Sequence, residues 1–286
     1  MKKDEVFFME KKIPLTYNLP FRLLNNEMRF CFLRELALNG AEHVVLGQHL
    51  FTAMMSDPGL GAQVASEMEK CGLTFKDAHA PTGEYWNLGS ALLSERKSML
   101  LRQKVTLETA SLFNVKTVTM HMGKRAPELS EEGFFDLVFS ALDELLPFAE
   151  ERGITLCVEN GYAFKGFPTA VLKVREKFPV DSLGFCFDAG HANMVTHPET
   201  KEKNQAVDTM QILNAMLPHI VNCHIHDNDG MHDQHNLPGR GIADWGQIVS
   251  LLKKAPRLQV IQSEVNIPAN GVAVRELVET FERLFR

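Results

Sequence analysis

The sequence predicts a single-domain α/β protein, a (β/α)8 barrel closed by eight parallel strands. Eight short apolar runs alternate with longer segments of helical period within 286 residues, and several of the helical segments end in glycine just before the next run. Alternation of this kind favours a parallel sheet, and about 250 residues is the usual size of a closed barrel. An open doubly wound sheet is the alternative, but no G-x-G-x-x-G fingerprint follows the first run.

The eight predicted strands are short and mostly apolar. In chain order they are IPLTY from Ile13, HVVLG from His43, LTFKDAH from Leu73, VKTVTMH from Val115, ITLCVEN from Ile154, LGFCFDAGH from Leu183, IVNCHIHDN from Ile220 and VIQSEVN from Val260. Intervening segments such as FRLLNNEMRFCFLRELALNG, from Phe21, place apolar residues at helical spacing and predict helices. Gly40, Gly72 and Gly153 precede the next strands and predict helix C-termini.

The composition excludes several classes of protein. A net charge of -6 argues against a general nucleic-acid coat or a basic membrane-surface protein. Five cysteines without a Cys-x-x-Cys pair argue against a disulfide framework and a thiolate zinc site. No apolar stretch approaches the roughly 20 residues that a membrane span needs. We therefore expect a soluble, cytoplasmic protein with one domain over residues 1–286, residues 1–12 being a candidate N-terminal extension.

A potential metal ligand ends each of the last six predicted strands. Catalytic groups of a (β/α)8 barrel stand at the C-terminal ends of its strands, so these side chains are expected at one mouth. They are His79, His121, Glu159, Asp188, His224 and Glu264, with His191 three residues after Asp188. One inward histidine is commonly structural, but a converging set of carboxylates and imidazoles calls for a partner such as a metal ion.

Alternation along the strands predicts which side chains face the barrel interior. In the seventh strand, Val221, Cys223 and Ile225 are expected to face the helices, so that His224 and His226 face inward. The same alternation predicts these inward side chains in other strands: His121, Glu159 and Asp188 at the mouth, with Cys157 and Cys186 one layer below.

These ligand types indicate a divalent transition metal. Burying unpaired carboxylates is unfavourable, and bringing them together adds repulsion, which a metal ion relieves. Imidazole nitrogen and carboxylate oxygen without thiolate suit Mn, Zn, Co, Fe or Ni. The run from Asp227 to Gly230 begins like an EF-hand calcium loop, but the third ligand before the glycine and the final Glu are missing.

Four motifs resemble the xylose isomerase-like TIM-barrel superfamily. They are VENGYAFKG, FDAGHAN, HIHDNDGMHDQHNLPGRGIADW and SEVN. The order Glu, Asp-x-x-His, His-x-x-Asp, Glu on successive strands is typical of that superfamily, and the resemblance extends from about Ile13 to Phe285. The superfamily includes sugar and sugar-phosphate isomerases and epimerases, and the endonuclease IV family of apurinic-site nucleases.

The resemblance implies that Glu159, Asp188, His224 and Glu264 bind one divalent ion. It also implies that Glu159 and Glu264 move the substrate proton next to a metal-bound carbonyl, in an isomerase or epimerase of a sugar, sugar phosphate or related polyol. A related lyase or dehydratase would use the same metal. The expected partner is a small sugar-like molecule and not a membrane, and the protein is a monomer or a homo-oligomer.

Eight further residues are candidate metal ligands or substrate contacts: His79, His121, His191, His226, Asp233, His235, Arg240 and Trp86. Trp86 is either a wall that stacks on a sugar ring or an anchor of its loop. Arg240 follows Pro238-Gly239, whereas some epimerases place an arginine before the corresponding Pro-Gly. Asp244 stands just before a predicted helix and is expected to be its N-cap.

A nuclease is the main alternative. In the endonuclease IV family, matching positions bind three metal ions, and this chain carries all nine of those ligand types. However, it reads His-Asp-Asn-Asp where the nucleases usually have Asn-Asp-Ser-Lys, and FDAGHANM lacks their Asp-Thr-Cys-His. We therefore expect one ion in an isomerase, three ions and a nucleic-acid substrate only in a nuclease, and consider a non-catalytic carbohydrate-binding barrel a third hypothesis.

Overall fold

The eight predicted strands form one closed parallel barrel. A computed structural model describes residues 12–161, 169–194 and 208–286, so residues 1–11 of the predicted extension lie outside it. The strands are β1 (Leu15–Tyr17), β2 (His43–Leu46), β3 (Thr74–His79), β4 (Thr117–Met120), β5 (Thr155–Glu159), β6 (Leu183–Asp188), β7 (Ile220–Ile225) and β8 (Val260–Ser263). Each strand pairs with its neighbours in chain order, and β1 pairs with β8. The predicted (β/α)8 TIM-barrel fold is confirmed.

Helices follow the strands and form the outer layer. Those of the described residues are α1 (Asn26–Leu38), α2 (Gln48–Ser56), α3 (Pro58–Cys71), α4 (Leu93–Leu112), α5 (Glu131–Glu150), α6 (Thr169–Lys177), α7 (Ala189–Asn193), α8 (Thr209–Met216), α9 (Trp245–Leu252) and α10 (Val274–Phe285). Outward strand residues such as Phe185 and Phe187 share one apolar core with helix residues such as Ile212. Among the described helices, none has the length and apolar character to cross a membrane.

The helix ends follow the predicted chemistry. Gly40, Gly72 and Gly153 have φ values of 96°, 70° and 63°. These values lie in the left-handed region that glycine adopts without strain, and each glycine lies between a helix and the next strand. Asp244 caps α9 by accepting a hydrogen bond of 3.0 Å from the Gln247 N–H. Both predictions are confirmed.

The first predicted helical segment is divided in two. Phe21–Leu23 forms a single 3-10 turn, and α1 begins only at Asn26. The Asn25 side chain accepts a hydrogen bond of 2.9 Å from the Met28 N–H. This cap starts the helix later than the apolar periodicity alone predicts.

A bulge in β7 corrects the predicted facing of Val221. Phe185 pairs with Ile220, but the next residue of β6, Cys186, pairs with Asn222, so Val221 is the extra residue. Its side chain packs with Cys157 and Cys186 and not with the helices. Gly184 leaves room for it, because a Cβ there would lie 2.5 Å from a Val221 methyl group.

Beyond the bulge the predicted alternation holds. Cys223 and Ile225 belong to the core shared with the helices, and His224 points toward Glu159 and Asp188. The bulge therefore resets the register of β7 just below the residues expected to bind metal.

Candidate metal centre

The strand ends bring the four predicted core ligands together. His224 Nδ1 lies 3.3 Å from Glu159 Oε2, 3.6 Å from Asp188 Oδ2 and 3.3 Å from Glu264 Oε1. His224 and Asp188 are fully buried, Glu159 is nearly so, and the Glu264 side chain is 11% exposed. One imidazole nitrogen thus faces three carboxylate oxygens at the C-terminal mouth of the barrel.

Each of these three separations from His224 Nδ1 suits two neighbouring ligands of one divalent ion. Metal–ligand bonds of about 2.0–2.2 Å place neighbouring ligand atoms about 3.0–3.5 Å apart in octahedral or tetrahedral geometry. His224 Nδ1 is buried and has no hydrogen-bond partner among the described residues. A buried nitrogen of this kind needs a partner. The donor set fits the predicted metals, because it consists of carboxylate and imidazole.

Charge balance in the centre follows from the histidines. Burial alone would raise the pKa of the Glu159 carboxyl, but the charges of His121 and His224 and hydrogen bonds from His121 and His191 hold that pKa well below its usual range. Burial lowers the pKa of His224, yet its anionic surroundings, Glu264 and Glu159 among them, raise it well above the usual value. The histidines around Glu159 thus favour the charged form of its carboxylate.

Two histidines flank Glu159 on one side of the centre. His121 Nε2 donates a hydrogen bond of 2.9 Å to Glu159 Oε2, and His79 Nε2 lies 3.4 Å from the same oxygen. His79 Nδ1 donates to the Ala80 carbonyl at 2.8 Å, which orients Nε2 toward Glu159. These three side chains form a second group of metal-ligand type.

A third group lies on the other side of the centre. His191 Nε2 is 3.6 Å and His235 Nε2 is 3.4 Å from Asp233 Oδ2. His235 has φ 50°, a left-handed conformation, and its Nδ1 donates to the Glu264 carbonyl at 2.8 Å. Burial lowers the pKa of His235, but hydrogen bonding to Asp233 and the surrounding carboxylates raise it to about 9. Asp233 thus faces two imidazole nitrogens.

His226 lies between the centre and the third group. Its Nε2 donates to Asp188 Oδ1 at 3.1 Å, and its ring stacks on His235 at 3.9 Å between centroids. Gly190 allows this position, because a Cβ there would lie 1.9 Å from the His226 ring. His226 is therefore placed to orient the Asp188 carboxylate.

Two predicted contacts lie apart from these groups. Arg240 binds Glu276 at 2.6 Å and the Asn270 carbonyl at 3.0 Å. Trp86 belongs to a 3-10 turn, is half-buried, and its carbonyl accepts a hydrogen bond of 3.2 Å from the Gln103 amide of α4. Both residues thus contact outer helices, Arg240 at α10 and Trp86 at α4, and their roles toward a substrate stay predictions.

A cavity of about 250 Å³ opens beside the centre, and the sequence analysis did not identify it. Glu264, His79 and His235 line its inner end. The remaining lining comes from the segments after β1, β2 and β8, namely Asn18, Leu19, Phe21, Gln48, Asn266 and Ile267 among others. Position directly after a strand was the available signal, but such loops carry no pattern that predicts their packing.

Asp77, besides the cavity, is a residue that the sequence pattern did not identify. It lies on β3 two residues before His79, is fully buried, and accepts a hydrogen bond of 3.3 Å from the Asn222 amide. Burial raises its pKa to about 6. A carboxylate at an inward position of a predicted strand was the signal that could have identified it.

Fold and centre together define a (β/α)8 barrel with a carboxylate–imidazole centre at its C-terminal mouth. The family described as Xylose isomerase-like TIM barrel matches residues 32–281, and the chain belongs to that family. It is 27% identical over 212 residues to the uncharacterized protein MJ1311 of Methanocaldococcus jannaschii, an alignment that covers 71% of this chain and 68% of MJ1311.

Solved structures share the fold over nearly the whole chain. A D-tagatose 3-epimerase-like protein has a TM-score of 0.75 and is 21% identical, with 95% of this chain and 96% of that chain covered. The IolI protein, solved with a bound zinc atom, has a TM-score of 0.70 and is 17% identical, with coverage of 95% and 96%. At these identities the likeness establishes the fold alone.

Proposed function

We propose that the protein is a divalent-metal-dependent isomerase or epimerase of a sugar, sugar phosphate or related polyol. The observation that carries the proposal is the position of Glu264, which belongs to the four-ligand centre and also lines the adjoining cavity. A small ligand in that cavity would meet a metal ligand and a carboxylate base at the same place. The epimerases among the proteins of the same fold support this substrate class.

Glu159, Asp188, His224 and Glu264 would hold the ion. When bound there, Mn, Zn, Co, Fe or Ni would polarise a substrate carbonyl and make the neighbouring C–H more acidic. The zinc of the IolI structure is compatible with this set. The low pKa of Asp188, maintained against burial by the charges of His191 and His226, keeps that carboxylate ionised for the role.

The two glutamates differ in their freedom to take a proton. Both oxygens of Glu159 face imidazoles, with His121 at 2.9 Å from Oε2 and His191 at 3.1 Å from Oε1. Glu264 accepts one hydrogen bond at Oε1, from the Gln262 amide at 2.9 Å, and borders the cavity. Glu264 is therefore the stronger candidate for the general base.

The proton transfer would then proceed in two steps. The Glu264 carboxylate takes the proton from the carbon next to the carbonyl, and the electron pair of the broken C–H bond forms an enediolate. Return of a proton to the former carbonyl carbon, with the hydroxyl proton of the original carbon moving to the other oxygen, gives an isomer. Return of a proton to the opposite face of the original carbon gives an epimer. For an epimer, Glu264 would keep the proton it took, and His121, which donates to Glu159 Oε2 at 2.9 Å, would supply the new proton through Glu159.

Solvent exchange tests the proposal. Metal-loaded protein is incubated with ketoses and aldoses in D₂O, and NMR follows deuterium entering the carbon next to the carbonyl. Glu264→Gln should lower turnover about 10²–10⁴-fold, because it removes the base but keeps the shape. Glu276→Gln is the matched control, since that residue binds Arg240 on the surface. Full activity of Glu264→Gln would contradict the assignment.

Phosphodiester hydrolysis is the second candidate function. The groups His79–His121–Glu159 and His191–Asp233–His235 adjoin the core centre, and three adjacent ions would suit a phosphate ester. The test is cleavage of an oligonucleotide duplex with one abasic site by zinc-loaded protein. Cleavage whose substrate affinity falls steeply with salt would support hydrolysis, and an intact duplex beside active sugar exchange would exclude it.

A further inference from the structure

The segment between β7 and α9 carries two side chains of the third group but has little regular structure. Asp233 and His235 both belong to it, and its only β-bridge among the described residues joins Asp227 to Asn236. The paired N–H···O bonds of that bridge are both 2.8 Å long. Something other than a helix or strand must therefore fix where Asp233 and His235 lie.

The Asp227 carboxylate is the centre of this segment. It is fully buried. Oδ1 accepts from the Asn228 N–H at 2.9 Å and the Ala243 N–H at 3.2 Å. Oδ2 accepts from the Gly239 N–H at 2.9 Å and the Trp245 indole N–H at 2.8 Å. One side chain thus joins the first residues of the segment to its last residues, and Asp233 and His235 lie between them in the chain.

Close packing leaves the carboxylate a single position. A Cβ at Gly241 would lie 2.2 Å from the Asn228 carbonyl and 2.2 Å from Asp227 Oδ1, so the chain passes directly over the carboxylate. Trp245, only 8% exposed, anchors the far end in the core. Both oxygens are directed at N–H donors, so Asp227 does not itself face the centre.

We infer that Asp227 is a positioning residue that holds Asp233 and His235 against His191 to form an ion site. The inference rests on the proposed metal dependence and deepens it. A carboxylate is required because four donors converge on it, and an amide would present its own N–H groups to two of them. Asn236 pairs with Asp227 through the bridge and directly follows His235. Fixing Asp227 therefore also fixes the position of His235.

Zinc titration of chelator-stripped protein tests the inference. We expect two kinds of zinc site in the wild-type protein, one lost in His224→Ala and another lost in Asp233→Asn. Asp227→Asn should weaken the second kind at least about tenfold and change the first less than twofold. Trp245→Phe, which removes one of the four donors and keeps an aromatic ring, should have the same selectivity with a smaller effect. Asp244→Asn, at the exposed cap of α9, is the matched control.

Three outcomes would overturn the inference. One is Asp227→Asn with both kinds of site unchanged. The second is equal weakening of both kinds together with a lowered melting temperature in Asp227→Asn and Trp245→Phe alike, which would show a merely structural role. The third is a wild-type protein with the core ion alone, which would remove the second site but leave the isomerase proposal standing, because that proposal requires only the core ion.

Discussion

Stabilisation of the fold by a bound ion is the most direct consequence of the proposed metal dependence. An ion that binds only the folded protein stabilises it by about 2.7 kcal/mol at a hundredfold excess over its dissociation constant. For 286 residues the entropy of unfolding is about 0.6 kcal/mol per kelvin. Zinc or manganese at that excess should therefore raise the melting temperature by about 4–5 °C.

His224→Ala should remove most of this stabilisation. His224 Nδ1 faces all three carboxylates of the core centre. Loss of this ligand should raise the dissociation constant of the ion at least about 100-fold. At the same metal concentration, about 0.4 kcal/mol of stabilisation would remain, a shift below about 1 °C.

Differential scanning calorimetry with and without zinc measures the two shifts, with each protein carrying Asp233→Asn so that zinc at the second site does not contribute. His232→Ala is the control, because His232 lies in the loop after β7 and its side chain, 59% exposed, pairs with Asp229. It should keep the full shift of about 4–5 °C. If His224→Ala kept that shift, the ion would bind elsewhere and the core assignment would be refuted.

Three further predictions concern neighbouring residues. The metal-free protein should lose up to about 3 kcal/mol of its free energy of unfolding as pH rises from about 6.5 through 9, measured by denaturant titration. The pKa of His235 is raised to about 9 beside Asp233, so the stabilisation from its protonation is complete below the unfolded pKa and is lost as pH rises through the folded pKa. Gly190→Ala should cost roughly 1–3 kcal/mol of stability and weaken zinc binding, because its Cβ would displace His226. Arg240→Ala should leave KM for a sugar within about twofold, because its guanidinium binds surface partners.

Each of these predictions has a clear opposing result. Stability of the metal-free protein that is flat over this pH range would contradict the pairing of His235 with Asp233. Gly246→Ala is the control for Gly190→Ala, because its Cβ would meet only Asp244 Oδ1 at 3.4 Å in a helix that favours alanine. A large rise in KM for Arg240→Ala would restore Arg240 as a substrate contact.

Much of the fold follows from the sequence because each β/α unit has its own local pattern of apolar residues. The strands are apolar runs at even spacing, and parallel pairing in chain order needs no further information. The Val221 bulge could not be predicted in this way, because it depends on space left by Gly184 on a neighbouring strand. Likewise, the late start of α1 depends on one cap at Asn25, which apolar periodicity does not detect.

The candidate site was likewise predictable at the strand ends and not in the loops. The ends of the last six strands were predictable, because alternation and barrel topology fix which side chains reach the mouth. Loop residues were predictable in type but not in place: His235 and Arg240 lie five residues apart, yet His235 faces the centre and Arg240 binds Glu276. That difference arises from the path of the chain over Asp227, which a sequence pattern does not encode.

The two candidate functions place different requirements on Glu159. Proton transfer needs a carboxylate oxygen that a substrate can reach, whereas a site with several ions would use Glu159 as a ligand. In the structure His121 and His79 approach Oε2 and His191 approaches Oε1, an arrangement that occupies the residue and leaves Glu264 facing the cavity. An isomerase on this scaffold can work through Glu264 alone, so additional ions around Glu159 would not by themselves exclude sugar chemistry.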